Sequence, residues 1–180
     1  MKRMLWTGVV GLLVTLVGCG GGGGGATPRE TFNRLKNALT DKKFEDVWDL
    51  ISTESQKYFE DQAADIAKKA EQVERESESQ SRIALENQAR MMEIPIEKMK
   101  QLDGPALVAG LYRMAAKDDK DVWGTISRTK FSRDEVAPDG KTAKVFVELD
   151  GIVQEDSPIP MVREGDQWKL DALADLGKGK

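Results

Sequence analysis

PDGKTAKVFVEL, residues 138–149, is the stretch on which the fold turns. Pro138, Asp139 and Gly140 form a turn, and from Thr142 the apolar Val145, Val147 and Leu149 alternate with Lys144, Phe146 and Glu148. A period of two is that of a half-buried strand, one face on a core and the other in water. The turn supplies a hairpin, so a partner strand is expected upstream in Trp123 to Phe131, a segment rich in Thr, Ile and aromatic residues. Downstream, Ile152 and Val153 extend this strand or begin the next. Ile159 to Val162, the turn at Glu164, Gly165 and Asp166, and Gln167 to Leu170 make a second hairpin. Pro158 and Pro160 lack a ladder donor and place that hairpin at a sheet edge. The C-terminal half is therefore read as a curved antiparallel sheet of about four strands.

Upstream the period changes to that of helices. Thr27, Pro28 and Glu30 are an N-cap, a first-turn proline and the third-position acid of a capping box. Phe32, Leu35 and Leu39 follow on one face, and Phe44, Val47, Trp48, Leu50 and Ile51 form a second apolar set after Asp41, Lys42 and Lys43. Two short helices packed as a hairpin are expected. Ser52 and Thr53 cap a third, with Phe59, Ala63, Ile66, Ala70 and Val73 as a stripe about two heptads long. The stripe fails at Ser77 and Gln80, so one long polar helix, packed at one end and solvated at the other, is predicted. Apolar residues return from Ile83 to Leu102 around a break at Pro95, and Asp103, Gly104 and Pro105 open another helix carrying Leu107, Val108, Leu111, Tyr112 and Met114. The methionines are read as core filling. The class is α+β, helices packed on a sheet, with one domain over residues 27–175 and a flexible tail at 176–180.

The first 25 residues have a different composition. Lys2 and Arg3 precede an apolar run, Met4 to Val17, that is shorter than the roughly 20 residues of a permanent span; this is the anatomy of a signal peptide. The run ends in Leu16, Val17, Gly18 and Cys19, which resembles the lipobox of bacterial lipoproteins at all four positions. The resemblance implies cleavage after Gly18 (residues 1–18 removed) and lipidation of Cys19, the sole thiol of the chain. It also implies a membrane partner through at least two acyl chains. At about 0.8 kcal/mol per buried methylene, two chains anchor firmly. Residues 19–26, Cys19 with six glycines and Ala26, read as a tether reaching about 25 Å when extended. The implied location is the bacterial cell envelope, the outer membrane being favoured in a two-membrane host because Gly20, and not Asp, follows the cysteine.

Composition excludes several chemistries. The chain has no histidine and one cysteine, which removes imidazole catalysis, His/Cys zinc sites and internal disulfides. Loss of Lys2 and Arg3 shifts the formal charge from −4 to −6, unsuited to a nucleic-acid surface. The order of helical hairpin, further helix and a meander closing in Gly165–Leu170 (GDQWKL) resembles NTF2-like lipoprotein domains, on Thr27–Ile51 and the strand pair around Trp168. That family implies a cone-shaped sheet with a pocket. Its enzymes use an Asp or His base with a Tyr or Asp at an oxyanion, so a buried carboxylate beside Tyr112 would mark an enzyme. No catalytic residue, cofactor or metal is assigned: Asp118, Asp119 and Asp121 read as a solvated turn, and Arg128, Lys130 and Arg133 as an exposed strand face. The expectation is a non-catalytic module with a small hydrophobic ligand or an envelope protein as partner. The alternatives are a pocketless assembly protein and, third, an enzyme.

Overall fold

The computed structural model describes residues 24–74, 80–118 and 121–174. The segments assigned to the signal peptide, Cys19 and the 176–180 tail lie outside these residues, as do Gly20 to Gly23.

Helix α1 (Pro28–Thr40) begins as its capping signal dictates, Thr27 Oγ1 accepting from the Glu30 amide at 3.2 Å. The Glu30 carboxylate reaches back to the Ala26 amide, one residue before the cap, at 2.8 Å. Phe32, Leu35, Ala38 and Leu39 are buried along one stripe. The second apolar set folds as a 3₁₀ helix (Phe44–Leu50), with Val47 fully buried. Ser52 Oγ caps α2 (Thr53–Glu74) by accepting from the Ser55 amide at 3.3 Å.

The long polar helix of the sequence reading is replaced by two helices, α2 and α3 (Gln80–Met92), joined through residues outside the described set. A second 3₁₀ helix (Ile96–Gln101) packs with them. Ala70, Ala89 and Met99 form a small cluster of their own, so the α2 stripe stays covered to Val73. Partners distant in sequence supply the burial that the stripe lacks by itself. Helix α4 (Gly104–Asp118) is capped by Asp103, whose Oδ1 accepts from the Ala106 amide at 2.9 Å.

Residues 122–128 are a helix, α5 (Val122–Arg128), where the sequence composition predicted a strand. Trp123 and Ile126, three apart, pack against the main core, a helical spacing that outweighs strand propensity over so short a segment. The sheet then comprises β1 (Lys130–Val136), β2 (Thr142–Leu149), β3 (Ile152–Val153), β4 (Ile159–Glu164) and β5 (Gln167–Leu170). It is antiparallel throughout, ordered β1-β2-β4-β5 with β3 also on β2, which makes five strands rather than four. Ser132 is an extra residue in the β1 ladder, a bulge of the kind that bends a strand. Asp150 and Gly151, at φ 51° and 85°, form the two-residue turn between β2 and β3, and both positive angles suit the twist of the strands.

The hairpin assigned to an edge has its first strand inside the sheet, β4 lying between β2 and β5. Pro160 is tolerated because of where its missing donor falls. The Arg163 amide bonds to the Lys141 carbonyl at 2.8 Å, and antiparallel pairs alternate, so Pro160 opposite Lys144 is a position that makes no bond toward β2. Its donor side faces Asp171, one residue beyond the end of β5.

The main core lies between the sheet and the layer of α1, the first 3₁₀ helix and α4. Val145, Val147, Met161, Trp168 and Leu170 from the sheet meet Phe32, Leu35, Val47 and Val108. A second cluster, Ala63, Met92, Leu102 and Leu107, joins α4 to the α2–α3 pair. Gly24, Gly25 and Ala26, read from the sequence as tether, belong to this domain. The Trp168 amide donates to the Gly25 carbonyl at 2.8 Å. The return bond runs through Thr31: the Gly25 amide donates to Thr31 Oγ1 at 2.9 Å, and that hydroxyl donates to the Trp168 carbonyl at 2.8 Å. Arg34 holds the Gly24 carbonyl at 2.7 Å. A Cβ on Gly25 would stand 2.6 Å from the Thr31 amide nitrogen, so the approach requires glycine.

Candidate functional site

A cavity of about 430 Å³ opens between α4 and the β4–β5 end of the sheet. Its floor is built from residues the core already orders: Leu35, Ile51, Val108 and Leu170 are all under a tenth exposed. Phe59 of α2 and Leu111 and Tyr112 of α4 form one wall, Ile159 and Pro160 the other. Asp171 is half-buried, and Ala115 and Ala172 are exposed, which puts the mouth at these three residues.

Pro160 shapes that mouth. The Asp171 amide donates to the Pro160 carbonyl at 3.0 Å, but Pro160 has no N–H to return the bond, so the β4–β5 ladder ends there and the chain departs from the sheet. Asp171 Oδ1 instead accepts from the Leu173 amide at 3.2 Å, turning the chain across the opening.

Tyr112 is held by an aromatic row. Its ring lies 6.3 Å from Phe44 at 8° between planes, and Phe44 lies 5.4 Å from Trp123. The guanidinium of Arg113 and the ammonium of Lys42 sit over Phe44 and Trp123 respectively, at 5.8 and 5.7 Å. Burial pushes the Tyr112 phenol up from its usual value of 10.0, so it stays neutral as a hydrogen-bonding group near pH 7. Asp171 shares the cavity with Tyr112, but it stands at the open rim, not on the buried floor where desolvation makes a carboxylate a useful base.

The other sequence candidates are dispersed. Arg128 belongs to α5, not to a strand, and is turned to Asp121 at 3.1 Å and Asp150 at 3.2 Å. Arg133 is tied to Glu155 at 2.6 Å and lies 4.0 Å over the Phe146 ring. Lys130, opposite Glu148, and Arg133, opposite Phe146, do share a face of the sheet, because the bulge at Ser132 restores the alternation, but Arg128 stands outside it on α5. Asp119 and Cys19 lie outside the described residues, and Asp121 serves the Arg128 pair. Among the described residues no group of three or more acidic or cysteine side chains could hold a metal ion, and no helix is long and apolar enough to cross a membrane. Trp168 is a core residue as expected, while Trp48 and Trp123 border the core half-buried.

Sequence reasoning singled out Tyr112 alone among the lining residues. Asp171, Ala172 and Ala115 carry no motif, and Pro160 signalled a strand edge rather than a cavity rim. The signal that could have located the mouth is a proline two residues into a strand whose hairpin partner ends in Leu-Asp. Comparison with family models, curated proteins and solved structures found no match to this chain.

Proposed function

We propose that this chain is a lipid-anchored module of the bacterial cell envelope that holds a small hydrophobic ligand without catalysing a reaction on it. The observation that carries the reading is the cavity of about 430 Å³, apolar on its floor and open beside Asp171. Ligand sites span roughly 300 to 1,000 Å³ and combine apolar walls with a few polar groups. The resemblance to NTF2-like lipoprotein domains supports it, since that fold sets its pocket between helices and the inner face of a curved sheet. The lipobox resemblance at Leu16–Cys19 supports the anchor on Cys19 and, in a two-membrane host, the outer membrane. With Gly24 fastened to the domain, only residues 20–23 remain as tether. Four residues span at most about 14 Å, which keeps the domain close against the bilayer.

The test is native mass spectrometry of the intact protein taken from its host membrane, beside Cys19→Ser and Ala115→Trp variants. The reading expects acyl mass on residues 19–180 in all but the serine variant. It further expects a co-purifying apolar molecule that is lost when a tryptophan fills the mouth. An unlipidated wild type refutes the anchor; no bound molecule, or one that persists in Ala115→Trp, refutes the ligand.

A second reading, an assembly module acting through the α2–α3 pair, is favoured by Ile83 and Ile96, which are 54% and 41% exposed on that side of the molecule. It expects cross-linking to another envelope protein through these two residues, abolished in Ile83→Glu.

A further inference from the structure

The charge at the cavity mouth selects among hydrophobic ligands. Among the described lining residues, Asp171 and Tyr112 are the only ones that ionise, and Tyr112 is held neutral by burial. Asp171 stands at the rim with one carboxylate oxygen engaged by the Leu173 amide. It enters no ion pair with any described residue, and among the described lining residues there is no lysine or arginine. An anionic headgroup placed at this opening would meet a carboxylate and, among the described lining residues, no cation. An ammonium would meet, beside the apolar wall, a carboxylate that no described lysine or arginine pairs.

Length follows from volume. At about 30 Å³ per water-sized group, and a methylene is close to that size, the cavity accommodates roughly 14 groups, room for one long alkyl chain but not for two of that length. Leu35, Ile51, Val108 and Leu170 are the buried part of the lining, and their side chains offer a chain no hydrogen bond.

We propose that the cavity takes a single-chain alkyl cation, its tail on the apolar floor and its amine or ammonium at the Asp171 carboxylate. The assignment rests on the ligand-binding reading above and adds the charge of the ligand. The test uses the intact protein in phosphatidylcholine nanodiscs, titrated calorimetrically at pH 7 with octylamine, octanol and octanoate against empty nanodiscs. Wild type should bind octylamine about tenfold or more tighter than octanoate, with octanol between them. Asp171→Asn should bring the two charged probes within about threefold of each other while octanol binding is retained, which also shows that the variant's cavity is intact.

Octanoate binding as tightly as octylamine, or a preference for the amine that survives Asp171→Asn, overturns the proposal and leaves the cavity reading standing. Failure of all three probes, or octanol binding that persists in Ala115→Trp, overturns the cavity reading and the proposal with it.

Discussion

Thr31→Val isolates the relay that joins the two ends of the domain. Valine matches threonine in shape and keeps the helix stripe apolar, but it removes the hydroxyl that accepts from Gly25 and donates to Trp168. Thr31 is fully buried, so water cannot replace either bond. Two hydrogen bonds at about 1 kcal/mol each give roughly 2 kcal/mol, and leaving the Gly25 amide and the Trp168 carbonyl short of a partner raises the cost to about 3 kcal/mol. That is a roughly 30- to 140-fold shift in the unfolding equilibrium, or about 4 to 12 °C in Tm for a domain of this size. Thr31→Ser keeps the hydroxyl and loses one methyl, about 1 kcal/mol. Urea unfolding of both variants, together with hydrogen exchange at the Gly25 amide, is the assay. The expected pattern is a large loss with rapid Gly25 exchange in the valine variant and near-normal Gly25 protection in the serine variant. A valine variant within about 0.5 kcal/mol of wild type, or equal losses in the two, would refute the relay.

Three further outcomes follow from the packing and the charges. Met99→Ala, in the separate cluster with Ala70 and Ala89, should cost about 2 to 4 kcal/mol; hydrogen exchange should rise in α3 and the later turns of α2 while β2 and β4 stay protected. Tyr112, whose pKa is raised by burial, contributes stability that is present below pH 10.0 and is lost as pH climbs through its raised value. The fall in Tm above pH 10 should therefore be shallower in Tyr112→Phe. Glu155 is drawn below its usual 4.5 chiefly by its hydrogen bond to Arg133, so its contribution is present above 4.5 and is lost as pH falls through the lowered value. An acid titration of Glu155→Gln should lack that step, though the effect is small at so exposed a site.

Much of this fold was legible where a local signal and the tertiary contact agree. The capping box at Thr27–Glu30 marks the start of α1, and the alternation of Val145 and Val147 with Lys144 marks a strand whose valines do face the core. Legibility failed where distant partners decide. Trp123 and Ile126 read as strand residues, yet their contacts with the core make a helix of the segment. The apolar stripe of α2 could not announce that α3 would fold back to cover it. Pro160 carried a true message, a missing donor, but only the register with Lys144 and the end of β5 determine where the lack is felt. Tyr112 could be named from the sequence as a helical tyrosine beside which a buried carboxylate would matter, whereas the rim of the cavity depends on Asp171 and Ala172, which are ordinary in sequence and gain their role from the place at which the ladder stops.

The contact between Gly25 and Trp168 also bears on how the chain reaches this state. Thr31 and Trp168 are separated by 137 positions, so the relay closes nearly the whole domain into one loop. The entropy lost in closing a loop grows only with the logarithm of its length, but it must be met before the contact returns anything. A seam of such separation is among the features that slow folding. During synthesis from the N-terminus, α1 is complete long before β5 exists, and the Thr31 hydroxyl and Gly25 amide wait without their final partner. The domain is thus latched by β5: until residues 167–170 arrive, Gly25, ahead of α1, has no edge on which to settle.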